Sequence, residues 1–296
     1  MRILISGSTG LIGSAFIRSA NAAGHITIPL VRKRGVPSSI FWDPESGVID
    51  DPALEGIDAV LHLAGESIAA RRWTEAQKAR ILESRVKGTA LLTSALARVN
   101  RRPAVLVSSS AIGYYGDCGD RTLTESSPAG SDFLAHVCTE WERATRPAAE
   151  AGIRVIHLRT GIVLAKEGGA LAKMVTPFKL GVGGKIGSGM QFMSWIDLED
   201  EVQVILHCLR EESLQGAVNS VGPAPVRNAE FTRTLGRVLS RPAVFPLPAF
   251  VARLAFGEMA DALLLSSQRV EPAKLRASGF SFRHTDLEET LRRILR

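Results

Sequence analysis

Short apolar runs punctuate the first 160 positions, and each is followed by a stretch of different spacing. Runs at 2–5, 26–31, 57–64 ("IDAVLHLA"), 104–108 and 153–159 place apolar residues at adjacent positions, so both faces of each predicted strand carry buried residues. Between them lie patterns with helical spacing. One runs over 11–22 and stops at Gly24, one over 74–99 with Lys and Arg on one side, and one over 131–151 that closes at Gly152. Strand and helix alternate in this way when a parallel sheet is covered on both faces. The pattern therefore predicts an α/β, doubly wound Rossmann-type sheet.

The rhythm changes after position 165. "GGALAKMVTPFKLGVGGKIGSG" at 168–189 is glycine-rich and reads as a flexible, lid-like stretch. A helical pattern at 198–209 and a strand at 217–221 follow, then "PAPVRNAEFTRTLGRVL" and the proline-punctuated "RPAVFPLP". The expected organisation is a nucleotide-binding domain over 1–165, with 196–222 returning to it. Segments 166–195 and 223–296 would build a smaller C-terminal substrate lobe.

Composition narrows the class. The 296 residues are 45% hydrophobic and 22% charged, as in globular proteins, and no apolar run approaches the roughly 18 residues that would span a bilayer. The start "MRILIS" enters a strand directly, without the pattern of a signal peptide. Cys118, Cys138 and Cys208 lie far apart without metal-type spacing, which predicts reduced thiols, a cytoplasmic setting and no metal. The net charge of +6 comes from dispersed basic groups at 32–34, 71–72, 101–102 and 292–293, with no aromatic residues between them. That favours solvated helix ends and anion contacts over nucleic-acid binding. Monomer and homodimer remain equally open, with 74–99 and 131–151 as the faces on which such a fold would pair.

The first turn carries chemistry. In "ILISGSTGLIGSAF", Gly7, Gly10 and Gly13 sit three apart between a strand and a helix. One glycine makes the tight turn, one admits a pyrophosphate to the backbone, and one lets the helix lie close on the strand. The helix N-terminus supplies free N–H groups and partial positive charge. The second strand runs into Arg32, Lys33 and Arg34, and no Asp or Glu occurs from 1 to 42. A carboxylate would take a ribose hydroxyl, whereas an arginine suits a 2′-phosphate, so the expected cofactor is NADP rather than NAD.

A second cluster stands at the end of the 104–108 strand. "SSSAIGYYGD" at 108–117 holds the chain's only two tyrosines, Tyr114 and Tyr115, beside Ser109 and Ser110. Together with "HLAG" at 62–65 and "SWIDLED" at 194–200, these motifs resemble the extended short-chain dehydrogenase/reductases, the sugar-nucleotide epimerase and dehydratase superfamily. The longer stretches "LAGESIAARRWTEAQKARILESRVKGT", "GVGGKIGSG" and "NAEFTRTLGRVLSRPAVFPLP" are similar to an NADP-binding epimerase subgroup that ends in a domain of unknown function. The resemblance implies cofactor contacts from Gly7, Thr9, Gly10, Leu11, Ile12, Gly13, Arg32, Leu63, Ala64, Gly65 and Arg85. It also implies that Thr160 and the residues after it close over the nicotinamide, and that a small-molecule substrate binds in the later lobe.

The superfamily's chemistry uses a Ser or Thr, a Tyr, and a Lys four residues after the Tyr, so that both side chains share one helix face. No such pair exists in this sequence. Four residues after Tyr114 and Tyr115 stand Cys118 and Gly119. Taking Glu142 as the acid that often follows the lysine by four places Leu134 at the tyrosine position and Cys138 at the lysine position, where Cys138 reads as a small buried residue. Two readings follow. One is an NADP-dependent oxidoreductase or epimerase with relocated acid/base groups, drawn from Ser110, Ser109, Tyr114, Tyr115 and Glu66. The other is a catalytically silent NADPH-binding sensor or scaffold, with a role in cell division implied by some relatives. His136 reads as a helix-surface residue, Asp197 stands where the wider pattern has His, and Asp200 as a group that caps or orients the following helix.

Overall fold

The computed structural model describes residues 1–296. Its centre is an eight-stranded sheet. In chain order the strands are β1 (Arg2–Ser6), β2 (Ile26–Val31), β3 (Ile40–Asp43), β4 (Val48–Ile49), β5 (Ala59–His62) and β6 (Val105–Ala111), then Arg154–Thr160 and Gly216–Ser220. The spatial order places Gly216–Ser220 at one edge, then Arg154–Thr160, β6, β5, β1, β2, β3 and β4. All neighbours run parallel except β3 and β4.

Successive side chains of β1 serve different cores, which is why its sequence is apolar throughout. Ile3 and Ile5 join Phe16 of helix α1 (Leu11–Ala22) and Ile205 of the helix Leu198–Arg210 on one face. Leu4 joins Leu92 and Leu96 of helix α2 (Glu75–Arg98) on the other. From β1 the chain builds outward through β2 and β3 on one side, and through β5 and β6 on the other. The reversal between β1 and β5 opens a crevice at the carboxyl ends of these strands, where such sheets bind ligands.

Three expectations change. β3 and β4 extend the sheet beyond the predicted strands, and they are too short for periodicity to reveal. The helix predicted over 131–151 is two pieces, α3 (Phe133–Arg143) and Arg146–Glu150. Pro147 sits in the first turn of the second piece, where its missing N–H does no harm, and the chain re-starts around Thr145. The glycine-rich stretch is not loop throughout. Gly169–Lys179 forms a helix whose Leu171, Val175 and Phe178 are buried with Trp195, Phe231 and Leu291. These residues form a further core, to which the helices Asn228–Leu239 and Leu287–Leu295 also contribute.

The helix Leu198–Arg210 carries Glu201 into a fully buried position between two strand ends. The Thr160 hydroxyl donates to it at 3.0 Å and the Ser220 hydroxyl at 2.6 Å. Burial nevertheless raises its pKa from 4.5 to about 7, because two neutral donors do not replace bulk water around a carboxylate. The folded state therefore binds the proton more tightly than the unfolded state, and stability from this group falls as pH rises from 4.5 to 7. Glu201→Gln is expected to gain ~3 kcal/mol relative to the wild type across that window, read as the difference between two urea-unfolding series. A difference that stays flat with pH would show that Glu201 is ionised in the fold.

Candidate functional site

The loop after β1 is built for close approach. Gly7 adopts φ +70°, and a Cβ there would stand 2.9 Å from the Leu63 carbonyl carbon, so the loops after β1 and β5 lie in contact. A Cβ at Gly13 would stand 2.2 Å from the Gly7 carbonyl oxygen, which presses the first turn of α1 onto the loop. Gly10 is exposed, and a Cβ there would meet only that same oxygen, at 3.3 Å. Gly10 is also the N-cap of α1 and makes no side-chain cap bond, and no acid occupies the first turn. The amides of Leu11, Ile12 and Gly13 are thus left for an anion, as a pyrophosphate requires. The residues present fit a dinucleotide. Thr9 is exposed at the rim of this loop.

At the end of β2, Arg32, Lys33 and Arg34 are exposed. Arg34 lies over the Phe41 ring at 3.9 Å, while Arg32 makes no ion pair. An unengaged guanidinium at this strand end is what a 2′-phosphate would take.

Beneath the crevice is a polar network that sequence reasoning missed, although "HLAG" stood out as a motif. The Ser6 hydroxyl oxygen accepts from the amides of Leu63 and Ala64, both at 3.1 Å, so its proton is free to go to His62 Nδ1 at 2.7 Å. His62 then carries its proton on Nε2 and donates to Thr89 Oγ1 at 3.0 Å, an oxygen that also accepts from Trp141 Nε1 at 3.0 Å. Burial lowers the His62 pKa to about 4, so the ring is neutral at physiological pH. This chain fixes the backbone of Leu63 and Ala64 at the crevice floor. Only the tertiary pairing of β1 with β5 brings Ser6 and His62 side by side.

Arg85, on α2, props the next turn. Its Nη1 donates to the Glu66 carbonyl at 2.9 Å and the Ile81 carbonyl at 3.0 Å, and its guanidinium lies 4.9 Å from the Trp141 ring centroid. A Cβ at Gly65 would stand 3.2 Å from its Cζ, so the cation runs directly behind Gly65. The Glu66 amide donates to Ser84 Oγ at 3.1 Å, while its half-buried carboxylate has no hydrogen-bond partner.

The wall at the end of β6 centres on a buried ion pair. Glu142 of α3 accepts from Arg159 Nε and Nη2, each at 2.8 Å, and from the Ser110 hydroxyl at 2.7 Å. Burial opposes the Arg159 charge, and the Glu142 carboxylate more than offsets it, holding the arginine above its ordinary pKa. Arg159 Nη1 donates to the Tyr115 hydroxyl at 3.1 Å, which in turn donates to Asn219 Oδ1 at 2.7 Å. Tyr115 is 1% exposed, its hydroxyl is committed on both sides, and burial raises its pKa.

Tyr114 differs. Its ring lies under the Arg159 guanidinium at 3.4 Å, and its hydroxyl has no protein partner. The segment Ile112–Tyr115 is a tight 3₁₀ turn, and the two rings meet edge to face at 5.3 Å. Ser109 is half-buried and makes no side-chain hydrogen bond. Leu134 and Cys138 are both buried. Burial, and next the Glu142 charge, push the Cys138 thiol up to about 11, so it stays protonated and uncharged. Thr160 turns its hydroxyl to Glu201. His136 is exposed on its helix. Asp197 caps the helix Leu198–Arg210 through the Glu199 amide, and Asp200 instead holds the amides of Arg283 and His284.

Residues 3–222 match the NAD dependent epimerase/dehydratase family, and residues 247–294 match a domain of unknown function. An epimerase family protein of Mycobacterium bovis is 46% identical over 290 residues, covering 98% of this chain and 96% of its own. The human epimerase family protein SDR39U1, solved with NADPH, superposes with a TM-score of 0.91 at 36% identity, covering 100% of this chain and 99% of its own. A nucleoside-diphosphate sugar epimerase from Corynebacterium glutamicum superposes at 0.84 with 36% identity, over 58% of its length. The UDP-glucose 4-epimerase of Thermotoga maritima shares the fold at 18% identity, with a TM-score of 0.79. No helix of this chain is long and apolar enough to cross a membrane.

Proposed function

The chain belongs to the NAD dependent epimerase/dehydratase family, and from that premise we propose that it is an NADPH-dependent oxidoreductase or epimerase whose proton donor is Tyr114. The pyrophosphate would lie on the open amides of α1 beside Gly10, with the 2′-phosphate at Arg32 and the rest of the cofactor along Leu63, Ala64 and Gly65. When bound, the nicotinamide supplies or accepts hydride. The chain's own groups orient the substrate and move the proton. Arg159 fixes the plane of the Tyr114 ring, and Glu142 fixes Arg159. Ser110, 2.7 Å from Glu142, can turn its hydroxyl to polarise a carbonyl oxygen. Tyr115 holds the wall and takes no part in proton transfer. Three free cysteines suit a reducing, cytoplasmic setting.

The observation that carries this reading is the single unpartnered phenol, held by a cation above its face, at the end of β6. A second reading, NADPH binding without catalysis, is favoured by Leu134 and Cys138, which leave no charged group at the usual lysine position.

The test has two arms. Arg32→Ala is expected to weaken NADPH binding about ten-fold in a fluorescence titration while leaving NADH unchanged, since only the 2′-phosphate contact is lost. In NADPH oxidation with a panel of carbonyl substrates, Tyr114→Phe should lower kcat by about 10²–10⁴ with cofactor affinity intact. Tyr115→Phe should instead lower stability by about 1–3 kcal/mol, because Asn219 and one Arg159 donor lose their partner. If no carbonyl compound consumes NADPH, the silent reading stands; if Tyr114→Phe turns over like the wild type, Tyr114 is not the proton donor.

A further inference from the structure

The four most exposed large apolar side chains are Leu254, Leu180, Phe250 and Val244, at 68–76%, and Phe245 and Val182 follow at 57% and 58%. These six come from two stretches that the fold ties together. The Phe245 amide donates to the Gly183 carbonyl at 3.2 Å and the Leu247 amide to the Lys185 carbonyl at 2.9 Å, so 182–185 runs alongside 244–247. The helix Ala249–Phe256 starts two residues later, and Phe250 and Leu254 share one of its faces at i, i+4. Ala252, on the inward side of the same helix, is buried. Apolar side chains gathered in water in this way contribute nothing to folding and mark a surface that meets something else.

The charge of this surface has one sign. No Asp or Glu occurs from 168 to 196 or from 231 to 257, while three lysines and four arginines do. Glu288 pairs with Arg237 and Asp261 with Arg253, both acids lying outside these stretches. Lys179, Lys185, Arg233 and Arg241 are exposed and make no ion pair. A shallow cavity of about 550 Å³ lies at the edge of the surface, lined by Arg233, Arg237, Ser240, Arg241 and Val244 among others, and by no acid. Guanidinium groups around a notch with an exposed apolar residue at its rim suit a phosphodiester headgroup with its acyl chains alongside.

We propose that this lobe docks on the surface of an anionic phospholipid bilayer. Phe245, Phe250, Leu254 and their apolar neighbours enter the interface, and Arg233 and Arg241 take headgroup phosphates. A second copy fits poorly, because two-fold pairing would press the unpaired cations of one copy against those of the other. Nucleic acid would engage the arginines and leave the apolar side chains in water. The lobe also touches the loop that leaves the crevice floor after Leu63 and Ala64. A Cβ at Gly257 would stand 3.2 Å from Arg72 Nε, and Lys173 Nζ donates to the Ala69 carbonyl at 3.0 Å. The proposal does not depend on the role given to Tyr114.

Flotation of the full-length protein with vesicles tests this, using phosphatidylcholine alone and phosphatidylcholine with an equal part of phosphatidylglycerol. Binding to the anionic vesicles is expected to be about ten-fold tighter at low salt, and to weaken as salt is added. Phe250→Ser with Leu254→Ser should lower it about 100-fold. Arg233→Gln with Arg241→Gln should erase most of the difference between the two compositions. All four positions face solvent, so the melting temperature and NADPH affinity should stay those of the wild type. Absence of binding to the anionic vesicles, equal binding to both compositions, binding that survives the serine substitutions, or a preference that survives the glutamine substitutions would each overturn the proposal. So would a concentration-dependent dimer in sedimentation that the serine pair abolishes, which would assign the face to a second copy.

Discussion

Glu142→Ala is expected to lower the unfolding free energy by about 3–5 kcal/mol, the largest effect of any single substitution near the site. The Arg159 side chain is 5% exposed and the Glu142 side chain 11%, so neither charge has water to fall back on. Removing the carboxylate leaves a guanidinium buried with two donors unpaired, and it also frees the Ser110 hydroxyl. The cost is that of an uncompensated charge, not the net worth of the pair. Guanidinium or urea unfolding at neutral pH reads it as a drop in midpoint with unchanged slope. Glu142→Gln separates the two contributions, since the amide oxygen can still accept from Ser110 while the charge is gone. Removing both partners, with Glu142→Leu and Arg159→Met, should recover much of the stability and still uncouple Tyr114, because the ring loses the cation that holds it. A single alanine variant that melts like the wild type would mean that the pair is solvated.

Gly13→Ala is expected to reduce NADPH affinity about 100-fold or more while the chain stays folded. The new methyl would lie 2.2 Å from the Gly7 carbonyl oxygen, far inside contact distance, and that oxygen is backbone and cannot rotate away. Either α1 retreats or the loop shifts, and both move the open amides of Leu11 and Ile12 out of register with a pyrophosphate. The comparison that isolates this is Gly10→Ala. There the nearest atom would be 3.3 Å away, so the fold keeps its geometry and only the approach of the ligand is blocked. Both variants should fail in a nucleotide titration, and only Gly13→Ala should also lower the melting temperature. Binding within three-fold of the wild type in Gly13→Ala would remove the crevice as the cofactor site.

The division between what could be read along the chain and what could not follows interaction range. Gly7, Gly10 and Gly13 were legible because their work is local, a turn and a helix start that need missing side chains at fixed spacing. Six of the eight strands of the central sheet were legible because burial on both faces favours adjacent apolar residues, and the short β3 and β4 were not. The absence of a tyrosine–lysine pair at i, i+4 was also a local fact. The same reading could not tell Tyr114 from Tyr115. They are adjacent, identical in type and close in space, and only the packing of Asn219 and Arg159, from two separate strands, commits one hydroxyl and leaves the other open.

Ser6, His62, Thr89 and Trp141 show the same limit. Each is unremarkable in its own stretch, and the network exists only because β1 lies beside β5 with α2 and α3 against them. The packed helix inside the glycine-rich stretch was missed for the opposite reason, since local composition there was overridden by burial, whereas the break at Thr145 goes with Pro147, a signal within the stretch itself. The sequence by itself determined the six longer strands of the sheet, the phosphate turn and the basic end of β2, because backbone conformation and the pattern of polarity are properties of neighbours along the chain. The tertiary structure alone decided which hydroxyls are free and which charges are paired, because those depend on side chains from distant segments meeting where water is excluded.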